Sequence, residues 1–198
     1  ESGEIRIAGA PVPVPSPAAC MARGMAFLTE DRRAEGLMME APITDNIALA
    51  SLPAFGAGWM RLIERTRLGD AVERVSAAVR INARDLERTL VKNLSGGNQQ
   101  KAVIGKWLLH QPRVFMLDEP TRGIDVGAKY EVYKIINQLA ADGTGVLLIS
   151  SEIEELTGMC DRILVMAHGE IRATFDRTQF DREAILRAAM WHGAKAAA

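Results

Sequence analysis

The chain has 198 residues, 48% hydrophobic and 25% charged, which is ordinary for a globular protein of one or two subdomains with a real core. A formal net charge of −1 and a pI near 6.4 supply no global basic field to draw it to nucleic acid or to an anionic membrane surface. No apolar run approaches the ~18 residues a membrane helix needs, so any work at a membrane is expected of a peripheral subunit.

In chain order, residues 4–8, EIRIA, alternate charged and apolar side chains as a half-buried strand does, and the PVPVPSP that follows cannot join a sheet interior, so it reads as a connector. A first residue that is glutamate, with a strand directly behind it, leads us to expect a piece of something longer. Ser16-Pro17 offers a helix start with proline at the first helical position, and MAFLT at 25–29 is a short apolar strand. EDRRAEG, 30–36, reads as a charged loop, and TDNIALASL as an Asx/Thr cap followed by apolar helical spacing. After the glycine-spaced FGAGWM, Leu68, Val72, Val75 and Val79 recur at three to four residues and predict a helix around 67–80. The stretch from 38 to 109 is therefore expected to be mostly helical. From Val114 the texture changes to the continuous apolar runs VFMLD, GVLLIS and RILVM, with the helical VGAKYEVYKIINQLAADG between the first two. Strands buried on both faces with an intervening helix argue for a parallel sheet with right-handed crossovers. Cys20 and Cys160 stand far apart without a CxxC or Cys/His cluster, which argues against a disulfide framework or a zinc site and for reduced thiols.

Two segments carry chemistry. In VFMLDEPT a buried strand ends in Asp118 and Glu119, and Pro120 stops it there. Ligand sites in open α/β sheets lie at the carboxyl ends of strands. A strand-end Asp118 is placed to hold Mg²⁺ directly or through water, and Glu119 to polarise an attacking water. In LSGGNQQKAVIGKWLLH, Ser95, Gly96 and Gly97 directly precede a helix whose Val103, Ile104, Trp107 and Leu108 face a core. Unpaired N–H groups, the positive end of the helix dipole and glycine backbone together suit an anion such as a phosphate. A bare Ser N-cap with turn glycines, or an acidic strand cap, would be the ordinary reading of either segment alone.

LSGGNQQK with LDEPTRGIDVGAK resembles the ATP-binding-cassette (ABC) ATPases, most closely the second cassette of the tandem ATPases that energise bacterial monosaccharide importers of the ribose, galactose and xylose kind. The resemblance extends to TEDRRAEGL, TDNIAL, LISSEIEEL and DRILVMAHGEI, covering about residues 4–175. It implies an α/β fold, a RecA-like P-loop NTPase core with a helical signature subdomain, divided as 1–37 (core piece ending in the Q-loop region), 38–109 (helical subdomain touching the permease) and 110–198 (core with Walker B, D-loop and switch). It also implies that Leu94–Asn98 is the signature motif, Asp118 the Walker B acid holding Mg²⁺, Glu119 the catalytic base and Asp125 the D-loop acid. Glu30 falls at the Q-loop and Ser151 where many cassettes have the switch histidine.

The sequence departs from the family pattern in ways that matter. No GxxxxGK[ST] loop occurs, and in a complete cassette it is expected just before Glu1, so the P-loop strand is expected to be absent. Asn98 stands where the commonest signature has glutamine. A carboxylate at Glu30 and a hydroxyl at Ser151 are expected to weaken this cassette's own site. In a cassette dimer the signature of one half covers the nucleotide of the other, so Ser95, Gly96, Gly97 and Asn98 are expected to serve ATP held by a partner. The expected activity is Mg·ATP hydrolysis coupled to carbohydrate uptake, at the cytoplasmic face of the bacterial inner membrane. The implied partners are a first cassette in the same or another chain, permease subunits and, indirectly, a periplasmic sugar-binding protein, with no nucleic acid. The alternative is a catalytically inactive structural or regulatory half that only completes a partner's site. Cassette proteins of ribosomes or DNA repair share the signature but not the EDR and GIDVGAK neighbourhoods. Arg32-Arg33 is expected on a solvated face or against a partner's acids, and Arg122 in an ion pair or across a dimer.

Overall fold

The computed structural model describes residues 3–7, 9–12, 16–58 and 60–190. It divides into two compact units, residues 1–149 and 150–198. Among the described residues no helix is long and apolar enough to cross a membrane.

The first unit is built on a three-stranded parallel sheet, β3 (Met25–Leu28), β6 (Val114–Asp118) and β7 (Gly145–Ile149), with β6 in the middle. Phe115 and Leu117 on β6 and Leu28 on β3 are completely buried. The both-face burial expected of these strands fails on β7. There α5 (Val126–Ala141) packs against the strand, while Leu147 and Ile149 on the alternate pleat positions are 47% and 45% exposed. The expected strand at 4–8 shrinks to β1 (Arg6–Ile7), paired antiparallel with β2 (Ala10–Pro11). Proline at the end of this two-stranded edge costs no ladder bond in a sheet interior. Ala8 and residues 13–15 of the proline run lie outside the described residues. α1 (Pro17–Ala22) begins as the sequence indicates, Ser16 Oγ accepting from the Ala19 N–H with Pro17 at the first position.

The segment 30–36, expected as a loop, is a correction: Arg32–Gly36 forms one wide helical turn. The Asp31 carboxylate caps it, accepting from the N–H groups of Arg33 and Ala34 at 3.0 Å each. α2 (Ile43–Ala48) starts before the expected Thr/Asp cap and has no side-chain cap at all. Its first N–H groups are satisfied at long range, Ile43 by the Thr89 carbonyl and Thr44 by the Leu86 carbonyl, both at 3.1 Å. The chain then makes a short tight helical stretch, a hairpin of β4 (Gly56–Ala57) and β5 (Leu62–Ile63), and α3 (Arg65–Ala78). Leu68 and Val72 on α3, and Val79 just beyond it, are buried as their spacing requires, against α2 and the long α4 (Gly96–Leu109).

RILVM is the second correction. It does not join the parallel sheet but forms β8 (Arg162–Ala167), antiparallel to β9 (Glu170–Asp176) in the second unit. After Arg162 the run is apolar, yet of its four residues only Ile163 and Val165 point inward; Leu164 and Met166 are 47% and 65% exposed. Ile163 and Val165 pack with Ile185 of α7 (Arg182–Ala189) and with Ile153 and Leu156 of α6 (Ile153–Met159) to form that unit's own core.

Asn46, only 1% exposed, ties the entry of α2 to the preceding loop. Its Oδ1 accepts from the Met38 N–H at 2.7 Å, and Nδ2 donates to the carbonyls of Met38 and Pro42 at 3.0 Å. Asn46→Ala removes the acceptor of the Met38 N–H, while the Met38 and Pro42 carbonyls keep their backbone donors Ala41 and Asn46, and it should lower stability by about 1–2 kcal/mol. Urea unfolding should show this as a lower midpoint at unchanged slope; an unmoved midpoint would mean that the loop holds itself.

Candidate functional site

β6 delivers Asp118 to the carboxyl end of the sheet, in register with Ile149 of β7. Glu119 follows at φ +46°, a left-handed conformation for a residue with a side chain. Such backbone costs on the order of 1–3 kcal/mol and persists where surroundings dictate it. Here the Glu119 N–H donates to the Ile149 carbonyl at 2.9 Å, and its carbonyl accepts from the Arg122 N–H at 3.1 Å, closing a turn over the buried Pro120 and Thr121. Among the described residues no three His, Cys, Asp or Glu side chains gather as a metal cluster. A single strand-end carboxylate nevertheless fits Mg²⁺, which takes one or two carboxylates and completes its shell with phosphate oxygens and water.

The second neighbourhood is the start of α4. Ser95 is exposed and caps the helix, its Oγ accepting from the Asn98 N–H at 3.3 Å and from Asn98 Nδ2 at 3.2 Å. Asn98 Oδ1 in turn accepts from the Asn82 N–H at 3.1 Å. The two glycines are required by packing as well as by any ligand. A Cβ on Gly97 would lie 2.5 Å from Ala128 Cβ, and one on Gly96 would lie 3.3 Å from the Gly123 carbonyl oxygen and 3.0 Å from Arg32 Nη2. Asp125 is the N-cap of α5, accepting from the Ala128 N–H at 2.9 Å. The two helix starts therefore meet in one cleft of about 320 Å³ lined by Ser95, Gly97, Asn98, Asp125, Lys101 and Glu131.

Lys101 and Glu131 escape sequence reasoning. Lys101 is only 5% exposed, forms an ion pair with Glu131 of α5, and donates to the Arg80 carbonyl at 3.0 Å. The hydrogen bond from Lys101, and then its charge, hold the Glu131 carboxyl below its usual 4.5. The only sequence signal is a lysine on the buried helix immediately after the glycine turn.

Glu30 follows β3 at the same carboxyl end of the sheet and forms an ion pair with Arg122, one of the two readings open for that arginine. Arg32 is not spread on a solvated face: its guanidinium reaches the backbone between Glu119 and Asp125, and burial, then the neighbouring Arg33, lowers its pKa. Arg33 Nε donates to Gln99 Oε1 on α4 at 3.4 Å. Ser151 belongs to the second unit, exposed in the bend before α6. The first unit thus brings Ser95, Gly97, Asn98 and Asp125 together in the cleft, while Asp118, Glu119 and Glu30 occupy the sheet's carboxyl end.

A parallel sheet flanked by helices, with an acidic strand end and a glycine turn opening a buried helix, is the RecA-like P-loop NTPase fold as ABC cassettes carry it. Two solved cassettes show the same fold. One is nucleotide-free, with a TM-score of 0.78 at 16% identity, covering 97% of this chain and 78% of that one. The other is a dimeric cassette in a post-hydrolysis state bound to ADP and Pi, with a TM-score of 0.73 at 19% identity, covering 90% and 75%. The ABC transporter family profile matches residues 1–122, more than half of the sequence, and the chain belongs to that family. Relatives include a ribose import ATP-binding protein of Rubrobacter xylanophilus, 42% identical over 94% of this chain. A xylose import ATP-binding protein of Geobacillus kaustophilus is 45% identical over 96% of it. The chain spans 37% of the length of each.

Two outcomes test this geometry. Gly97→Ala should push α4 from α5 and cost about 1–3 kcal/mol. Ala128→Gly should relieve part of that loss, giving a favourable coupling in a double-mutant cycle; strict additivity would contradict the contact. Because Glu131 titrates lower folded than unfolded, its pairing stabilises the fold above pH 4.5 and the contribution is lost as pH falls through the folded value. Glu131→Gln should therefore flatten the loss of thermal stability between about pH 6 and about pH 3.5.

Proposed function

We propose that this chain is the ATP-binding part of a bacterial monosaccharide importer, coupling Mg·ATP hydrolysis to uptake, with its signature turn completing the nucleotide site of a partner cassette. The observation that carries this reading is the exposed Ser95 hydroxyl at the start of α4, open on a cleft that also receives the start of α5 at Asp125. The start of α4, capped by the neutral Ser95 hydroxyl and opened by glycine backbone, suits a phosphate brought by another subunit, while the Asp125 carboxylate already caps α5. The names of the relatives, ribose and xylose import ATP-binding proteins, support the class of cargo.

In this reading Ser95, Gly96, Gly97 and Asn98 contact the nucleotide in trans. Asp118 contributes one carboxylate to Mg²⁺, which would neutralise phosphate charge when bound. Glu119 accepts a proton from the attacking water, a role worth about 10²- to 10⁴-fold in rate. Asp125 lies in the D-loop, Glu30 in the Q-loop and Ser151 at the switch position. The partners are a first cassette, in the same chain or another, membrane permease subunits meeting residues 38–109, and indirectly a periplasmic sugar-binding protein. The place of work is the cytoplasmic face of the inner membrane. A second reading, a structural half that supports only its partner's hydrolysis, draws on one observation: the Glu30 carboxylate is engaged by Arg122.

In the assembled transporter, Ser95→Phe should lower ATP turnover about 10²- to 10³-fold and abolish uptake; unchanged turnover would sink the proposal. Glu119→Gln separates the two readings. A fall of about 10²-fold or more means that this cassette hydrolyses ATP itself, and no fall leaves it the supporting half.

A further inference from the structure

The turn after β3 grips the site from an unexpected side. Arg32 Nη1 donates to the Arg122 carbonyl at 2.9 Å and Nη2 to the Gly123 carbonyl at 3.3 Å, contacts between residues ninety positions apart in the chain. The same guanidinium lies where a Cβ on Gly96 would come within 3.0 Å of Nη2, so it also abuts the signature turn. On either side the neighbours repeat the pattern: Glu30 pairs with Arg122, and Arg33 with Gln99 of α4. Further along the turn, the Gly36 carbonyl accepts from the buried Lys106 at 2.8 Å. Five polar contacts thus bind one short segment to two others, 122–123 and α4, that have no sequence proximity to it.

We infer that Arg32 is a positioning residue: its forked guanidinium fixes the 122–123 backbone against the signature turn, so that Gly96 and Asp125 hold one relative geometry. The inference rests on the proposed function only for its effect on turnover; the clamp itself is a property of this chain. The planar fork presents donors on two separate nitrogens, one aimed at each of two successive carbonyls, in a fixed geometry. A lysine keeps the charge and three donors, but on one nitrogen of a flexible stem without the fork's fixed spacing. The fork also accounts for the absence of a side chain at position 96, since a β-carbon would crowd the guanidinium. Glu30 holds Arg122 as well, and Arg33 holds Gln99 in the first turn of α4, so a push on residues 30–36 would reach the signature turn and the 122–125 backbone together.

Amide hydrogen exchange on the 198-residue chain tests the clamp directly. Arg32→Ala should speed exchange of residues 121–125 and 95–97 by about tenfold and leave 65–78 on α3 within about twofold of the parent. Arg32→Lys should behave like the alanine variant. Unchanged exchange at 121–125, a uniform acceleration that includes α3, or a lysine variant equal to the parent would each overturn the inference. In the assembled transporter, Arg32→Ala should lower kcat for ATP about ten- to a hundredfold with KM within about twofold, the pattern of lost geometry rather than lost binding. If Ser95→Phe abolishes turnover and Arg32→Ala leaves it intact, the positioning role is wrong. If both leave turnover intact, the trans-site reading has failed instead, and the exchange result alone decides the clamp.

Discussion

The structure of the first unit depends on α4, a helix buried along most of its length that nevertheless carries Gln99, Lys101 and Lys106 into the interior. Buried ammonium and amide groups are costly unless each finds a partner, several kcal/mol for an unpaired charge by order of magnitude. For these three side chains the surrounding turns and α5 supply the partners. Gln99 donates to the carbonyls of Val91 and Leu94 and accepts from Arg33. Lys101 takes the Arg80 carbonyl and Glu131, and Lys106 takes the Gly36 carbonyl, burial pulling the Lys106 pKa below its usual value. Arg80 adopts a positive φ of 55°, a conformation that the bond to Lys101 helps to fix where its carbonyl turns inward.

From this constraint the cleft follows. With three polar anchors set, α4 has one rotation and one height in the unit, and its first residues emerge at a fixed place beside α5. Ala128 then approaches so closely, 2.5 Å, that position 97 admits no side chain, while at position 96 the Gly123 carbonyl at 3.3 Å leaves a tight but less severe fit. The glycines that make the turn suitable for an anion are the same glycines that let two helix starts converge. Packing and ligand chemistry ask for one residue type, so neither role can be assigned from the substitution of a glycine alone.

The sequence made the strand at 25–28, the start of α1 at Ser16-Pro17, the span of α3 and the acidic end of β6 legible, because each rests on local pattern: apolar runs, a cap, a proline, a period near 3.6. The motif also named Ser95, Gly97, Asn98 and Asp125, which the fold gathers in one cleft. What was illegible depends on groups distant in the chain. EDRRAEG looks like a loop because a charged heptapeptide has no apolar period; Asp31 and the carbonyls at 122 and 123 make it a turn with fixed contacts. α2 lacks a side-chain cap because the Thr89 and Leu86 carbonyls fulfil that function. In RILVM the four residues after Arg162 are all apolar, so a period of two in their burial leaves no trace in the letters. Lys101 and Glu131 are thirty residues apart, and no window on the sequence contains both.

The strain at Glu119 ties the remaining chemistry to the sheet rather than to the loop. Its left-handed backbone is held by a hydrogen bond from the Arg122 N–H and by one to the last carbonyl of β7, whose position is set by five consecutive pairs between β6 and β7. A shift of one residue in that register would exchange the two faces of β6, sending the fully buried Phe115 and Leu117 outward. The hydrophobic effect therefore holds the register, the register holds the Ile149 carbonyl, and the carbonyl holds the conformation of the residue that follows Asp118. An acidic pair at a strand end would otherwise be free to relax toward ordinary extended backbone. Here the same apolar residues that bury the centre of the sheet determine how its charged end is presented.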